Sequence, residues 1–150
     1  MFQVKEHVGV RQVRFRELGG IFGQLEGLYR ELYQGELDIS LEQVASSLGQ
    51  PGSYLFGSFD DKRLVGVASL HIFSVLIGRY ATIHDVVVTE SYRRQGIARN
   101  LVNLAIGVAR DEEKVMYCEI MARPQDSVPN ALYGKLLTPI DRNIYRVYFD

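Results

Sequence analysis

Between Asp85 and Arg99 the chain reads Asp-Val-Val-Val-Thr-Glu-Ser-Tyr-Arg-Arg-Gln-Gly-Ile-Ala-Arg, and this stretch holds the residues best placed to do chemistry. The β-branched run from Val86 to Val88 reads as the end of a strand. A polar loop with Arg93 and Arg94 follows. Gly96 then opens a helix in which Ile97, Leu101, Leu104 and Val108 recur on one face. A helix N-terminus presents N–H groups without partners at the positive end of the helix dipole, and so attracts phosphate. Gly96 lets an anion approach closely, Ala98 adds almost no bulk, and Arg93, Arg94 and Arg99 add positive charge. The spacing Arg-x-x-Gly-x-Ala therefore points to a pyrophosphate cradle, against the plainer reading of a strand-to-helix turn with a solvated basic loop. No Gly-Lys-Ser/Thr occurs, and no Gly-x-Gly-x-x-Gly follows the first strand. That excludes a triphosphatase P-loop and a dinucleotide fingerprint.

The elements that must position this loop are legible from periodicity. Val13 and Phe15 alternate with Arg14 and Arg16, predicting a strand over Gln12–Glu17 that Gly19-Gly20 breaks. Ile21, Leu25, Leu28 and Leu32 predict a helix from Ile21 to Gln34, ended by Gly35. Ser40 and Gln43 form a capping-box pattern for a short helix to Leu48. Ser53–Phe59 and Arg63–Ser74 read as a hairpin joined by Asp60-Asp61-Lys62, and Ile77-Gly78-Arg79 as a second turn. Thr82–Thr89 is a central strand, Val115–Met121 another, Asn130–Leu136 a short helix, and Tyr145–Phe149 a last alternating strand. The order β-α-α-β-β-β-α-β-α-β predicts an α+β (mixed α/β) domain spanning 1–150, with a partly parallel sheet.

Composition narrows the function classes. The 150 residues suit one domain. A formal net charge of −1 argues against a protein held to nucleic acid by bulk charge. The lone cysteine, Cys118, rules out a disulfide framework and a cysteine-rich zinc site, and its apolar strand suggests a small buried hydrophobe. His7 and His71 have no ligand partner at useful spacing, so no metal is expected. Met1–His7 has no basic region leading into an apolar run, and no apolar stretch nears the roughly 20 residues of a membrane span. The expectation is a cytoplasmic protein with no membrane partner.

The residues Val-x-x-x-Tyr-Arg-x-x-Gly-Ile-Ala, Val88 to Ala98, resemble the acyl-CoA motif of the GCN5-related N-acetyltransferase (GNAT) superfamily. Ile83-His84-Asp85-Val86-Val87-Val88 resembles the strand before that motif. Ala131-Leu132-Tyr133-Gly134-Lys135-Leu136 resembles the family's Ala-x-x-Tyr-x-Lys-Leu segment, and Tyr145-Arg146-Val147-Tyr148 its closing strand. The chain departs where the family continues Lys-Leu-Gly-Phe, having Leu137-Thr138 instead, and where Glu often precedes the Asp, having His84.

The resemblance implies a central twisted mixed sheet of about six to seven strands flanked by about four helices. It also implies acetyl-CoA as cosubstrate, and direct attack by a primary amine without a covalent acyl-enzyme. A backbone N–H near Val88, on the strand carrying Val86, is the implied oxyanion donor. The N–H groups of Arg94, Gln95, Gly96, Ile97, Ala98 and Arg99, with Arg93 beside them, are the implied pyrophosphate cradle. Tyr133 is the implied general acid, its alternative a plain core tyrosine. Asn130 either contacts the CoA arm or caps its helix from the start.

His84 is the general base suggested by pKa, expected on one strand face with Val86 and Val88; its alternative is a buried, hydrogen-bonded histidine. Asp85 and Glu119 are rivals, and a water relay would need none of them directly. Glu36 and Asp38 are candidates to attract a cationic acceptor, against a solvated helix end. A non-catalytic CoA-binding sensor or regulatory module is the competing function. A homodimer through Tyr145, Tyr148 and Phe149 competes with simple core packing of the same residues.

Overall fold

The chain's alternating apolar runs pair into four consecutive antiparallel strands: β1 (Val8–Gln12), β2 (Ser53–Asp60), β3 (Arg63–Val75) and β4 (Gly78–Val88). The computed structural model describes residues 8–149; the segment before Val8, with His7, and Asp150 lie outside the described residues. A fifth strand, β5 (Cys118–Ile120), joins β4 in parallel, giving the order β1-β2-β3-β4-β5. Parallel neighbours need a crossover, and α3 (Ile97–Gly107) supplies it. The other helices are α1 (Leu18–Tyr33), α2 (Leu41–Leu48) and α4 (Ser127–Leu136).

Alternation along the central strands makes two cores, one on each face. Leu55, Leu64, Val67 and Val87 meet Leu18, Leu25 and Leu28 of α1. Phe56, Val65, Ala68, Leu70, Ala81, Ile83 and Val88 meet Ile97, Leu101, Val102 and Ala105 of α3. Burying a side chain such as Leu101 completely is worth about 1.5–3 kcal/mol relative to leaving it in water. Gly66 keeps α3 close to the sheet: a Cβ there would sit 3.2 Å from the Val88 side chain and 3.3 Å from Ile97. Ser40 caps α2 by accepting the Gln43 N–H at 3.1 Å, as its sequence pattern predicts. Among the described residues no helix is long and apolar enough to cross a membrane.

Several expectations are corrected. The sheet has five strands among the described residues, not six to seven. Tyr145–Phe149 alternates but finds no ladder partner among the described residues, and Tyr145 and Phe149 are each 89% exposed. The strand predicted at Gln12–Glu17 lies earlier. Its second half is a 3₁₀ turn, Phe15–Glu17, closed by the Glu17 carboxylate, which accepts the Arg14 N–H at 2.7 Å and the Arg11 guanidinium at 2.8 Å. Gly19-Gly20 does not break α1, which starts at Leu18 because Leu18 is needed in the core. Gly78 and Arg79 belong to β4 rather than to the turn before it. α4 starts three residues earlier than its periodicity suggests, while β5 is shorter than the predicted Val115–Met121.

Candidate functional site

Pairing between β4 and β5 ends at Ile83 and Ile120, so from His84 onward β4 has no neighbour on that side among the described residues and the strands part. Thr89 N–H donates to Val65 O at 2.9 Å, with Val88 opposite Gly66. Bonded and non-bonded pairs alternate in an antiparallel ladder, so Val88 turns its N–H and C=O into this gap. The C=O is already taken by Arg93 Nε at 2.8 Å.

At the end of β4 the chain makes a short turn, Glu90–Tyr92, and enters α3 through two left-handed residues, Arg94 (φ 62°) and Gly96 (φ 79°). Gly96 tolerates this conformation without a Cβ penalty. Among the described residues the N–H groups of Arg94, Gln95, Gly96, Ile97, Ala98 and Arg99 have no backbone partner; the first return bond is Asn100 N–H to Gly96 O. Gln95 Oε1 is buried without a hydrogen-bond partner. Arg93 is spent locally, on Val88 O and at 3.5 Å from Glu31 of α1, whereas Arg94 and Arg99 are exposed. The geometry is a concave run of donors at the positive end of α3, suited to an anion.

The opposite face of β4 holds a polar cluster. Register shifts by one residue between Val67 and Ser69 of β3, opposite Val87 and His84, so the segment at Asp85 is a β-bulge. Asp85 occupies φ 55°, a region that Asp tolerates better than most residues. The bulge resets alternation, which corrects the expected placement of His84. Val86 and Val88 face α3, while His84 and Asp85 face α1 with Val87. The Asp85 carboxylate accepts a hydrogen bond from the Tyr29 hydroxyl at 2.9 Å and another from Tyr33. Burial, reinforced by Asp85, pushes the Tyr33 phenol up to about 12 and holds Tyr29 above the ordinary tyrosine range.

His84 Nε2 lies 2.8 Å from Thr82 Oγ1, and its ring is 5.6 Å from that of His71, edge to face. His71 Nδ1 is 3.2 Å from Ser53 Oγ and its Nε2 is 3.3 Å from Ser69 Oγ. Burial, with His84 nearby, keeps His71 below the usual imidazole value. Asp85, Tyr29, Ser69 and His71 line a cavity of about 80 Å³ with Leu25, Val44, Ser47, Leu48 and Leu55. Sequence reasoning set His71 aside. The signal was its position two residues from Ser69 on a strand that pairs with the His84 strand, visible only with the register in hand.

The remaining candidates are dispersed. Tyr133 is half-buried against the α3-side core; its hydroxyl has no hydrogen-bond partner among the described residues, and burial raises its pKa. Asn130 does not cap α4 from its start, because the helix begins at Ser127. Its amide instead donates to Arg123 O at 2.7 Å and Asp126 O at 2.8 Å, tying down the preceding loop. Glu119 lies 3.6 Å from Arg142. Burial pushes the Cys118 thiol up to about 11, with Glu119 adding to the shift, which makes it a poor nucleophile at neutral pH. Glu36 and Asp38 are exposed, Asp38 4.0 Å from Arg30, and neither lines the cavity. Among the described residues no three His, Cys, Asp or Glu side chains gather as a metal site.

The fold as a whole is shared with known structures. An aminoglycoside acetyltransferase, meta-AAC0020, from an uncultured soil metagenomic sample superposes with a TM-score of 0.83, at 18% identity and 99% coverage of both chains. A ribosomal-protein-alanine N-acetyltransferase from Brucella melitensis biovar Abortus 2308 gives 0.78 at 17% identity, over 96% of this chain and 100% of that one. AAC(6')-Iy, solved with the bisubstrate analogue CoA-S-monomethyl-acetylneamine, gives 0.79 at 17% identity, over 97% and 100%. At these identities the likeness is one of fold. No curated protein sequence matches the chain significantly. The profile of the Acetyltransferase (GNAT) family matches residues 22–135, which contain the parted strands, the α3 loop and Tyr133, and the chain belongs to that family.

Proposed function

We propose that this chain is a single acyltransferase domain that moves an acetyl group from acetyl-CoA to a primary amine by direct attack. One observation carries the reading: among the described residues, six successive N–H groups without backbone partners, Arg94 to Arg99, stand at the start of α3 beside the open edge of β4. Such a run fits a diphosphate, because each donor is preorganised and the helix end adds positive potential. The exposed guanidinium groups of Arg94 and Arg99 would add to it, and Arg93 would hold the loop against Val88 and Glu31. Val86 would border the pantetheine path and Asn130 would steady the loop before α4.

Acetyl-CoA supplies a thioester whose carbonyl carbon accepts the amine. The Val88 N–H, aimed into the gap, would donate to the oxygen as negative charge develops on it. Tyr133, a phenol protonated at neutral pH with no hydrogen-bond partner for its hydroxyl among the described residues, would serve as donor to a departing thiolate. The amine must lose a proton, and His84 is the proposed acceptor, reached from the α1 face rather than the α3 face. Attack from that face would bring the amine to the gap from the side opposite α3.

Thermal unfolding with acetyl-CoA, CoA and ATP in parallel tests the reading. Either CoA species at about 100 times its Kd should add about 2.7 kcal/mol to native stability, and ATP should add none. Thiol release should follow on adding an amine, and Tyr133→Phe should lose turnover while keeping CoA binding. Retained binding with no turnover for any amine in the unaltered protein would favour a CoA sensor instead.

A further inference from the structure

We infer that the acceptor is a compact monoammonium head on an apolar stem, seated on the Asp85 carboxylate in the cavity between α1, α2 and the β3–β4 face. The inference rests on the acetyltransfer reading and adds the substrate class to it. Among the described residues Asp85 is the one charged side chain lining this cavity; Leu25, Val44, Leu48 and Leu55 supply apolar wall, and Ser47, Ser69 and His71 supply neutral polar groups. The carboxylate is there because of the bulge. As the extra residue of β4, in a left-handed conformation, Asp85 turns toward α1 instead of into the α3-side core. Backbone strain of this kind persists where surrounding structure maintains it, and Tyr29 and Tyr33 do so by donating to the two carboxylate oxygens.

Each of those oxygens retains lone-pair capacity for an ammonium N–H. The Tyr29 ring lines the cavity and offers π surface that also favours a cation. A polycation has no second acid in the wall to meet its other charges. The volume of about 80 Å³ holds an ammonium and the first carbons behind it, well short of the roughly 300 Å³ at which drug-sized pockets begin. The rest of the acceptor therefore extends outside the cavity.

The test measures thiol release from acetyl-CoA with 2-phenylethylamine, spermidine, an aminoglycoside and a short peptide bearing a free α-amine. The monoamine should exceed the polycations in kcat/KM by at least about tenfold. Asp85→Asn keeps the left-handed backbone accessible, since Asn also tolerates it. It should raise KM for the monoamine by about tenfold or more while leaving KM for acetyl-CoA unchanged. Ser47→Asp, at an exposed wall position, should shift preference toward spermidine by supplying a second carboxylate. An enzyme that binds CoA and acetylates amines, but prefers the polycations or the peptide, overturns the inference and leaves the acetyltransfer reading standing. So does an Asp85→Asn variant that only loses stability, with amine KM unchanged. Absence of both a CoA-dependent thermal shift and thiol release with every amine overturns the acetyltransfer reading and the inference with it.

Discussion

Replacing Gly96 by alanine probes the phosphate-cradle argument at its most local point. Gly96 sits at φ 79° as the residue preceding α3, and a Cβ built there meets no atom within 4 Å. The cost is therefore conformational rather than steric. An L-residue in the left-handed region loses roughly 1–2 kcal/mol, offset by about 0.4–1 kcal/mol from the stiffer unfolded chain. The net expectation is about 1 kcal/mol of destabilisation, or a Tm drop of roughly 2–4 °C for a domain of this size. Gly107, the last residue of the same helix, is the control: it has ordinary helical dihedrals (φ −60°, ψ −45°) and equally open surroundings. Gly107→Ala should gain about 0.5–1 kcal/mol. The new methyl at Gly96 also stands among the free N–H groups, so CoA affinity should weaken by about tenfold, or roughly 1.4 kcal/mol, while Gly107→Ala leaves it unchanged. Scanning calorimetry gives the first comparison and titration calorimetry with CoA the second. A Gly96→Ala protein as stable as Gly107→Ala, binding CoA with unaltered Kd, would refute the reasoning.

Tyr133→Phe removes a hydroxyl that has no partner among the described residues, so stability should hold to within about 1 kcal/mol while turnover falls about 100-fold; unchanged steady-state rates would remove Tyr133 from the chemistry. His71 is held below its ordinary value of 6.5 by burial, so the unfolded chain binds a proton more readily than the folded one. Stability contributed this way is present above that value and is lost as the pH falls below it; Tm should drop between about pH 7 and pH 5, and drop less in His71→Gln. Glu17 and Glu113 are held below 4.5 by hydrogen bonds to Arg11 and Tyr54 respectively, so their loss belongs to a more acid window and does not blur this test. Leu101→Ala, at a fully buried position under β3 and β4, should cost about 2–5 kcal/mol in urea unfolding.

Readable features in this chain are those set by contacts a few residues apart. The loop from Arg93 to Arg99 could be singled out as a candidate because a helix start leaves its own N–H groups unpaired wherever it occurs. The Ser40–Gln43 cap, the amphipathic faces of α1 and α3, and the order of every element through α4 follow from 2.0- and 3.6-residue periods in the same way. The Tyr145–Phe149 alternation shows the limit of that method. Period two describes a segment able to pair, while pairing itself requires an edge in reach, and the segment remains exposed.

The cavity side of the candidate site was decided by tertiary structure alone. Tyr33 and Asp85 are 52 positions apart, and Tyr29 and Asp85 are 56. His71 meets His84 only because β3 and β4 pair in one particular register. One extra residue at Asp85 reverses which face of β4 carries His84. Alternation counted along a single strand has no means of registering an insertion that exists only relative to its neighbour. The sequence by itself determined the family, through motifs of a few residues, and the helix start and strand end that form the candidate cradle, because a helix start leaves its own N–H groups unpaired wherever it occurs. The fold decided which side chains face the cavity, because strand register and a bulge are properties of two strands together.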